Sequence, residues 1–189
     1  MVSVRAPASC PPGPNALGDV HGGAGEQAVE MYESIARRMD EGESFEAAVK
    51  AGLDEAIALR GKFVSGFGHR FHPVDPRAPR LLELVDEAAG AGTVSGRYAR
   101  IARGVEDELA ARKNGRRIPM NIDGATAVIY AELGFPAALA RGLFCLSRSV
   151  GILAHAWEQM QQGGRNKGPI PRQYIWTYEG PQERAVPRK

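Results

Sequence analysis

Three stretches of this 189-residue chain hold side chains able to move a proton or bind an anion, and in each the pattern predicts a loop running into a helix. Gly61-Lys62-Phe63-Val64-Ser65-Gly66-Phe67-Gly68-His69-Arg70 is a β-branched and aromatic run that breaks into a glycine loop and then presents a histidine. Gly66 and Gly68 permit positive φ and let a ligand approach the backbone closely, while Asp75-Pro76 downstream has the form of an N-cap followed by proline at a first helical position. His21 follows Leu17-Gly18-Asp19-Val20, and Asp123 follows Asn121-Ile122. A histidine at a helix N-terminus meets the positive end of the macrodipole, which favours the neutral ring and leaves an N–H to donate to a developing oxyanion. A carboxylate partly desolvated against Ile122 and Val128 would have a raised pKa and become a base for a carbon acid. Arg77 and Arg148 would hold substrate carboxylates, since guanidinium pairing is bidentate and so orients as well as binds. The chemistry these groups share is that of an enolate.

Each piece also has a plainer reading. The glycine loop can be a turn with an incidental histidine, Asp123 can be a helix cap, His72 a surface residue and His155 a core histidine. No pair of His, Cys or carboxylate residues shows a metal-ligand spacing, so no metal is expected.

The elements that must position these residues read as helices. Val29, Tyr32, Ile35, Ala36 and Met39 recur at helical spacing up to Asp40. Residues 45–59 form a second amphipathic segment closed by Gly61 as an αL cap, 77–89 a third, and 98–112 a fourth with Tyr98, Ile101, Val105 and Leu109 on one stripe. After the Gly- and Pro-rich run 114–124 come a short apolar helix, 125–133, and the longest, 137–161, whose small and apolar residues on most faces predict that it is the buried one. Arg141, Arg148 and His155 fall seven residues apart on it and ask for an anionic partner. Residues 1–16, with Pro7, Pro11, Pro12 and Pro14, read as a loose arm, and Arg172-Gln173-Tyr174-Ile175-Trp176-Thr177-Tyr178 as an aromatic tail that docks on something.

With 24 Lys and Arg against 22 Asp and Glu, the chain has no global field to attract a nucleic acid or an acidic membrane, so an anionic ligand must be held locally. Cys10 and Cys145 lie in unlike settings and predict no disulfide framework, which points to the cytoplasm. Neither a secretory signal nor an uninterrupted apolar stretch of membrane-spanning length is expected, hence a soluble protein.

Taken in order, Leu17-Gly18-Asp19-Val20-His21-Gly22-Gly23-Ala24, Gly66-Phe67-Gly68-His69-Arg70 with Asp75-Pro76-Arg77, Asn121-Ile122-Asp123, Ser147-Arg148-Ser149-Val150-Gly151 with Ala154-His155, and Pro171-Arg172-Gln173 resemble the ordered motifs of the citrate synthase family. The resemblance covers residues 17–181 and corresponds to the C-terminal part of a family member. It implies an all-α, citrate synthase-like helical fold comprising the small domain and the C-terminal part of the large one. Residues 24–134 would be the CoA-binding small domain, 17–23 and 135–189 a remnant of the large domain, and the proline arm would stand where the family has further helices. It also implies roles. His21 matches the histidine that stabilises the acetyl-CoA enol, Asp123 the base that removes the α-proton, and His69 the histidine that hydrogen-bonds the oxaloacetate carbonyl. Arg77 and Arg148 match the dicarboxylate clamp, and Arg172 an arginine that reaches into the neighbouring subunit's site of a homodimer. Val64, Gly66 and Gly68 belong to the loop that holds the CoA adenine, with Lys62 or Arg70 near its phosphates.

Three departures, a shorter 69–77 loop, Gly124 where an aromatic is common, and Gly18-Asp19 before His21, are more similar to the citryl-CoA lyase relatives. The implied reaction is cleavage of citryl-CoA to acetyl-CoA and oxaloacetate, with a coenzyme A thioester as substrate and no metal. Citrate or methylcitrate synthesis, or a truncated, non-catalytic CoA-binding paralogue, are the alternatives.

Overall fold

The computed structural model describes residues 17–18 and 21–162; the proline-rich arm, Arg172 and the aromatic tail lie outside the described residues. Among the described residues there are six helices and no strand, so the all-α expectation holds: α1 Ala24–Asp40, α2 Phe45–Arg60, α3 Arg77–Gly90, α4 Arg97–Arg112, α5 Ile122–Glu132 and α6 Ala137–Gln161.

The apolar stripe of α1 is the axis of the core. Ala28, Val29, Tyr32 and Ile35 are fully buried there, facing Ala125, Ala127 and Val128 of α5, Ile101, Ala102 and Val105 of α4, and Ala48 and Leu53 of α2. Small residues on α5 let it approach α1 closely enough for the Tyr32 hydroxyl to meet the Gly124 carbonyl at 3.5 Å, and burial pushes that phenol's pKa far up. The α4 start is tied to the end of α5 by Glu132, whose carboxylate accepts the backbone N–H of Ser95, Gly96 and Tyr98 at 3.0, 3.0 and 2.7 Å. A carboxylate at a helix N-terminus satisfies orphan donors and opposes the positive end of the dipole.

Several expectations need correction. Gly61 ends α2 at φ 87° and ψ −171°, outside the αL region, although its N–H still bonds the Ile57 carbonyl at 2.8 Å. At α3 the cap position falls to Pro76, and Asp75 before it accepts the Arg77 N–H at 3.1 Å. The largest correction concerns α6. Only Ala140 of its 25 residues is buried, while Leu146 and Val150 are 66% and 67% exposed and Leu153, Trp157 and Met160 are exposed too. Among the described residues, only α1 and α5 pack on it, and Arg141 pairs with Glu26 of α1. By length and composition this helix is also apolar enough to cross a membrane, with mean hydropathy 1.4 over its best window, although Arg141, Arg148 and His155 interrupt its apolar run.

Candidate active site

The start of α5 is built by Asn121. Its Oδ1 accepts the N–H groups of Asp123 and Gly124 at 2.9 and 3.2 Å, so Asn121 is the cap and the carboxylate of Asp123, in the first turn, is left for other work. The same residue stitches the glycine loop in place. Its Nδ2 donates to the Gly68 carbonyl at 2.7 Å, its backbone N–H to the Gly66 carbonyl at 2.9 Å, and the Gly68 N–H donates to Pro119 at 2.7 Å. Gly66 sits at φ 89°, and a Cβ there would fall 2.9 Å from the Gly124 Cα, while one on Gly124 would fall 2.3 Å from the Gly66 carbonyl oxygen. Backbone rests on backbone, which only glycine at both positions allows. The absence of an aromatic side chain at 124 is therefore a packing requirement of this loop.

Asp75 links the starts of α3 and α5. It is 1% exposed and accepts from the Ile122 N–H at 2.9 Å, the Arg77 N–H at 3.1 Å, and Arg77 Nε and Nη2 at 2.9 Å each. The Arg77 guanidinium, with the backbone donors, holds this carboxyl well below the usual carboxylate range. One edge of the Arg77 fork, Nε with Nη2, is thus committed inside the protein, and the edge that carries Nη1 faces away from Asp75.

These elements converge on Asp123. Burial pushes its pKa up, the charges of Arg77, Arg148 and His21 pull it down and that of Asp75 pushes it up, with a net rise. Four of the expected site residues, His21, Arg77, Asp123 and Arg148, therefore share one electrostatic neighbourhood. Phe144 of α6, which sequence reasoning missed, positions two of them. The His21 ring meets its edge at 6.4 Å and 88°, and the Arg148 guanidinium lies 5.1 Å from its ring centre. Its signal was helical spacing: Phe144 precedes Arg148 by one turn. His155 is exposed on α6, 3.6 Å from Glu158, outside this group and not in the core. His69 is tied to the α5 start through Gly68, whose carbonyl accepts from Asn121 Nδ2.

His69 instead lines a cleft of about 800 Å³, a size suited to a cofactor. Lys62, Val64, Gly68 and Arg70 of the expected cofactor set form one wall. Gly66 does not: it is buried under Gly124, and its part is packing. The same cleft is lined by Lys113, Arg116 and Arg117, of which the sequence reading placed Arg116 and Arg117 only in the punctuation before α5 and gave Lys113 no role. Arg117 also holds Glu106 at 2.7 Å. Among the described residues no carboxylate lines the cleft, and the field of the residues that do favours a polyanion. Among the described residues no cluster of three or more His, Cys, Asp or Glu side chains could hold a metal.

Residues 14–173 match the family model for the citrate synthase C-terminal domain. Citrate synthase of Acidithiobacillus ferridurans is 36% identical over 145 residues, 76% of this chain and 35% of its own length. Citrate synthase 1 of Mycobacterium tuberculosis (strain H37Rv) is 36% identical over 172 residues, 88% of this chain and 38% of its own. The chain spans little more than a third of the length of these relatives. Among solved structures, citryl-CoA lyase from Hydrogenobacter thermophilus matches with a TM-score of 0.67 and 28% identity, covering 98% of this chain and 68% of that one. Citrate synthase from Thermoplasma acidophilum, solved with carboxymethyl coenzyme A and oxaloacetate, matches with a TM-score of 0.60 and 29% identity over 89% of this chain and 42% of that one.

Proposed function

Because the chain belongs to the citrate synthase family, we propose that its basic cleft takes a coenzyme A thioester and that the Asp123 site works an enolate, cleaving citryl-CoA to acetyl-CoA and oxaloacetate. The observation that carries this reading is a carboxyl raised by burial with His21, Arg77 and Arg148 around it. As the carbon–carbon bond breaks, its electron pair passes to the thioester as an enolate. The His21 N–H would hold the enolate oxygen, and Asp123 in its acid form would deliver a proton to carbon. The hydroxyl of citryl-CoA would give up its proton to water as the bond breaks, His69 would donate to the oxygen that becomes the oxaloacetate carbonyl, and Arg148 with the second edge of Arg77 would clamp the dicarboxylate.

Enolate stabilisation serves condensation equally, with the Asp123 carboxylate then removing the α-proton, and the names of the curated relatives favour a citrate synthase as second reading. The likeness to citryl-CoA lyase and the glycine at 124 favour cleavage. Assays of the purified protein with citryl-CoA, and with acetyl-CoA plus oxaloacetate, test both. Turnover of neither, with coenzyme A still bound, would leave the non-catalytic CoA-binding paralogue. His21→Ala is expected to lower turnover roughly 100-fold, as for loss of one oxyanion donor, while coenzyme A affinity measured by calorimetry stays unchanged.

On this reading, residues 24–134 are the CoA-binding small domain, and 17–23 with 135–189 belong to the large one. The exposed apolar side chains of α6 support a homodimer in which Arg172 of each chain serves the opposite site. Sedimentation at micromolar concentration is expected to give a dimer, and a monomer would remove the shared site. A cytoplasmic location and a working surface away from membranes complete the proposal.

A further inference from the structure

The segment 69–74 carries Arg70, His72 and Pro73 into the basic cleft, yet among the described residues no hydrogen bond between backbone groups involves any of its members. What closes the turn is a side chain. Nδ1 of His69 accepts the backbone N–H of Phe71 at 3.1 Å and that of His72 at 3.0 Å, and the rings of Phe71 and His72 flank the imidazole at centroid distances of 6.1 and 4.9 Å. A ring nitrogen that receives two N–H donors carries no proton, so the proton of the neutral ring is on Nε2.

We propose that His69 is the positioning residue for the 70–74 segment, its Nδ1 standing in for the missing backbone acceptor, and that this bond also sets the tautomer that leaves Nε2–H as the donor on the ring's opposite edge. One ring thereby does two separable jobs. Its Nδ1 edge shapes the cleft wall, and its Nε2 edge serves the dicarboxylate. The assignment of the two ligands rests on the function proposed above, but the loop geometry does not.

The two edges can be removed one at a time. Asn places an amide oxygen where Nδ1 was and has nothing at Nε2, whereas Gln places an amide N–H where Nε2 was and has no acceptor at Nδ1. In the free protein, H69N is expected to keep the Phe71 and His72 amides protected from hydrogen exchange, and H69Q to exchange them roughly tenfold faster, the loss of one modest hydrogen bond each. Coenzyme A binding by calorimetry should follow the same order, weaker in H69Q than in H69N, and oxaloacetate binding the reverse. Nitrogen-15 spectra of the unsubstituted protein should show an unprotonated Nδ1 and a protonated Nε2, a readout that needs no variant to fold. A protonated Nδ1, or equal amide exchange in the two variants, would overturn the positioning role. If the amides and spectra behave as expected but the unsubstituted protein binds no coenzyme A, the loop device stands and the cofactor reading falls.

Discussion

Replacing Asp123 by Asn is expected to leave the fold intact and to cut turnover by roughly 10²–10⁴-fold, the range spanned by positioned acid–base groups. The fold should survive because the cap of α5 is Asn121 and the Asp123 carboxylate is not part of it. Stability should rise slightly. The folded-state pKa of Asp123 is raised, so the folded protein binds this proton more tightly than the unfolded chain does, and the associated stability is lost as pH climbs from the unfolded value through the folded one. At neutral pH the ionised carboxylate is thus a cost that Asn removes. The same rise places the ionisation limb of the parent's pH–rate profile above the usual Asp value of about 3.9. Since the charge of Arg77 lowers this pKa, taking that charge away should move the limb higher still. Exchange of the acetyl-CoA methyl protons with deuterated solvent isolates the step, and it should vanish in Asp123→Asn with coenzyme A affinity retained. A variant that melts in place of falling silent would make the carboxylate a structural group and end its assignment as the acid–base residue.

Local patterns were legible where one residue's neighbours decide its fate. The stripe of α1 from Val29 to Met39 follows from periodicity and the start of α6 from the Gly134-Phe135-Pro136 break before it. Asp123, His21 and Arg77 lie at loop-to-helix junctions and share a field with Arg148, which comes from the middle of α6. Asn121 and Asp123 are both good caps two residues apart, so the sequence left the α5 start open by three residues until hydrogen bonds chose Asn121. The burial of α6 was misjudged for a different reason. Hydrophobicity states what a helix would gain from cover and cannot state whether the chain supplies it. Lys113, Arg116 and Arg117 escaped because they reach the glycine loop only across the fold, some forty residues or more away in sequence. Asp75 was visible as a helix-start residue, but its bond to Ile122, which makes it a cross-link between two helices, was not.

That cross-link gives the second large effect: Asp75→Ala should destabilise the protein by about 3 kcal/mol, near the lower end for breaking a buried charged network. The figure stays at the lower end because the Arg77 side chain is 56% exposed and water takes over part of its charge. What water does not repair is the Ile122 N–H, whose acceptor on Asp75 is fully buried. The sign of the pH dependence follows from the direction of the shift. A carboxyl held well below its ordinary value contributes stability that is complete above the unfolded pKa of about 3.9 and is lost as pH falls from there through the folded value. The gap in urea midpoint between Asp75→Ala and the parent should therefore be constant at neutral pH and shrink below about pH 4. Asp75→Asn keeps one acceptor oxygen and should fall between the two. A second consequence reaches the site itself, because the negative charge of Asp75 raises the pKa of Asp123. Removing that charge should shift the Asp123 ionisation limb of the pH–rate profile downward, opposite to the effect of removing Arg77, in whatever activity the Asp75→Asn protein retains. A gap in stability that persists unchanged to low pH would mean that Asp75 acts through packing and not through its charge, and the limb should then stay where the parent has it.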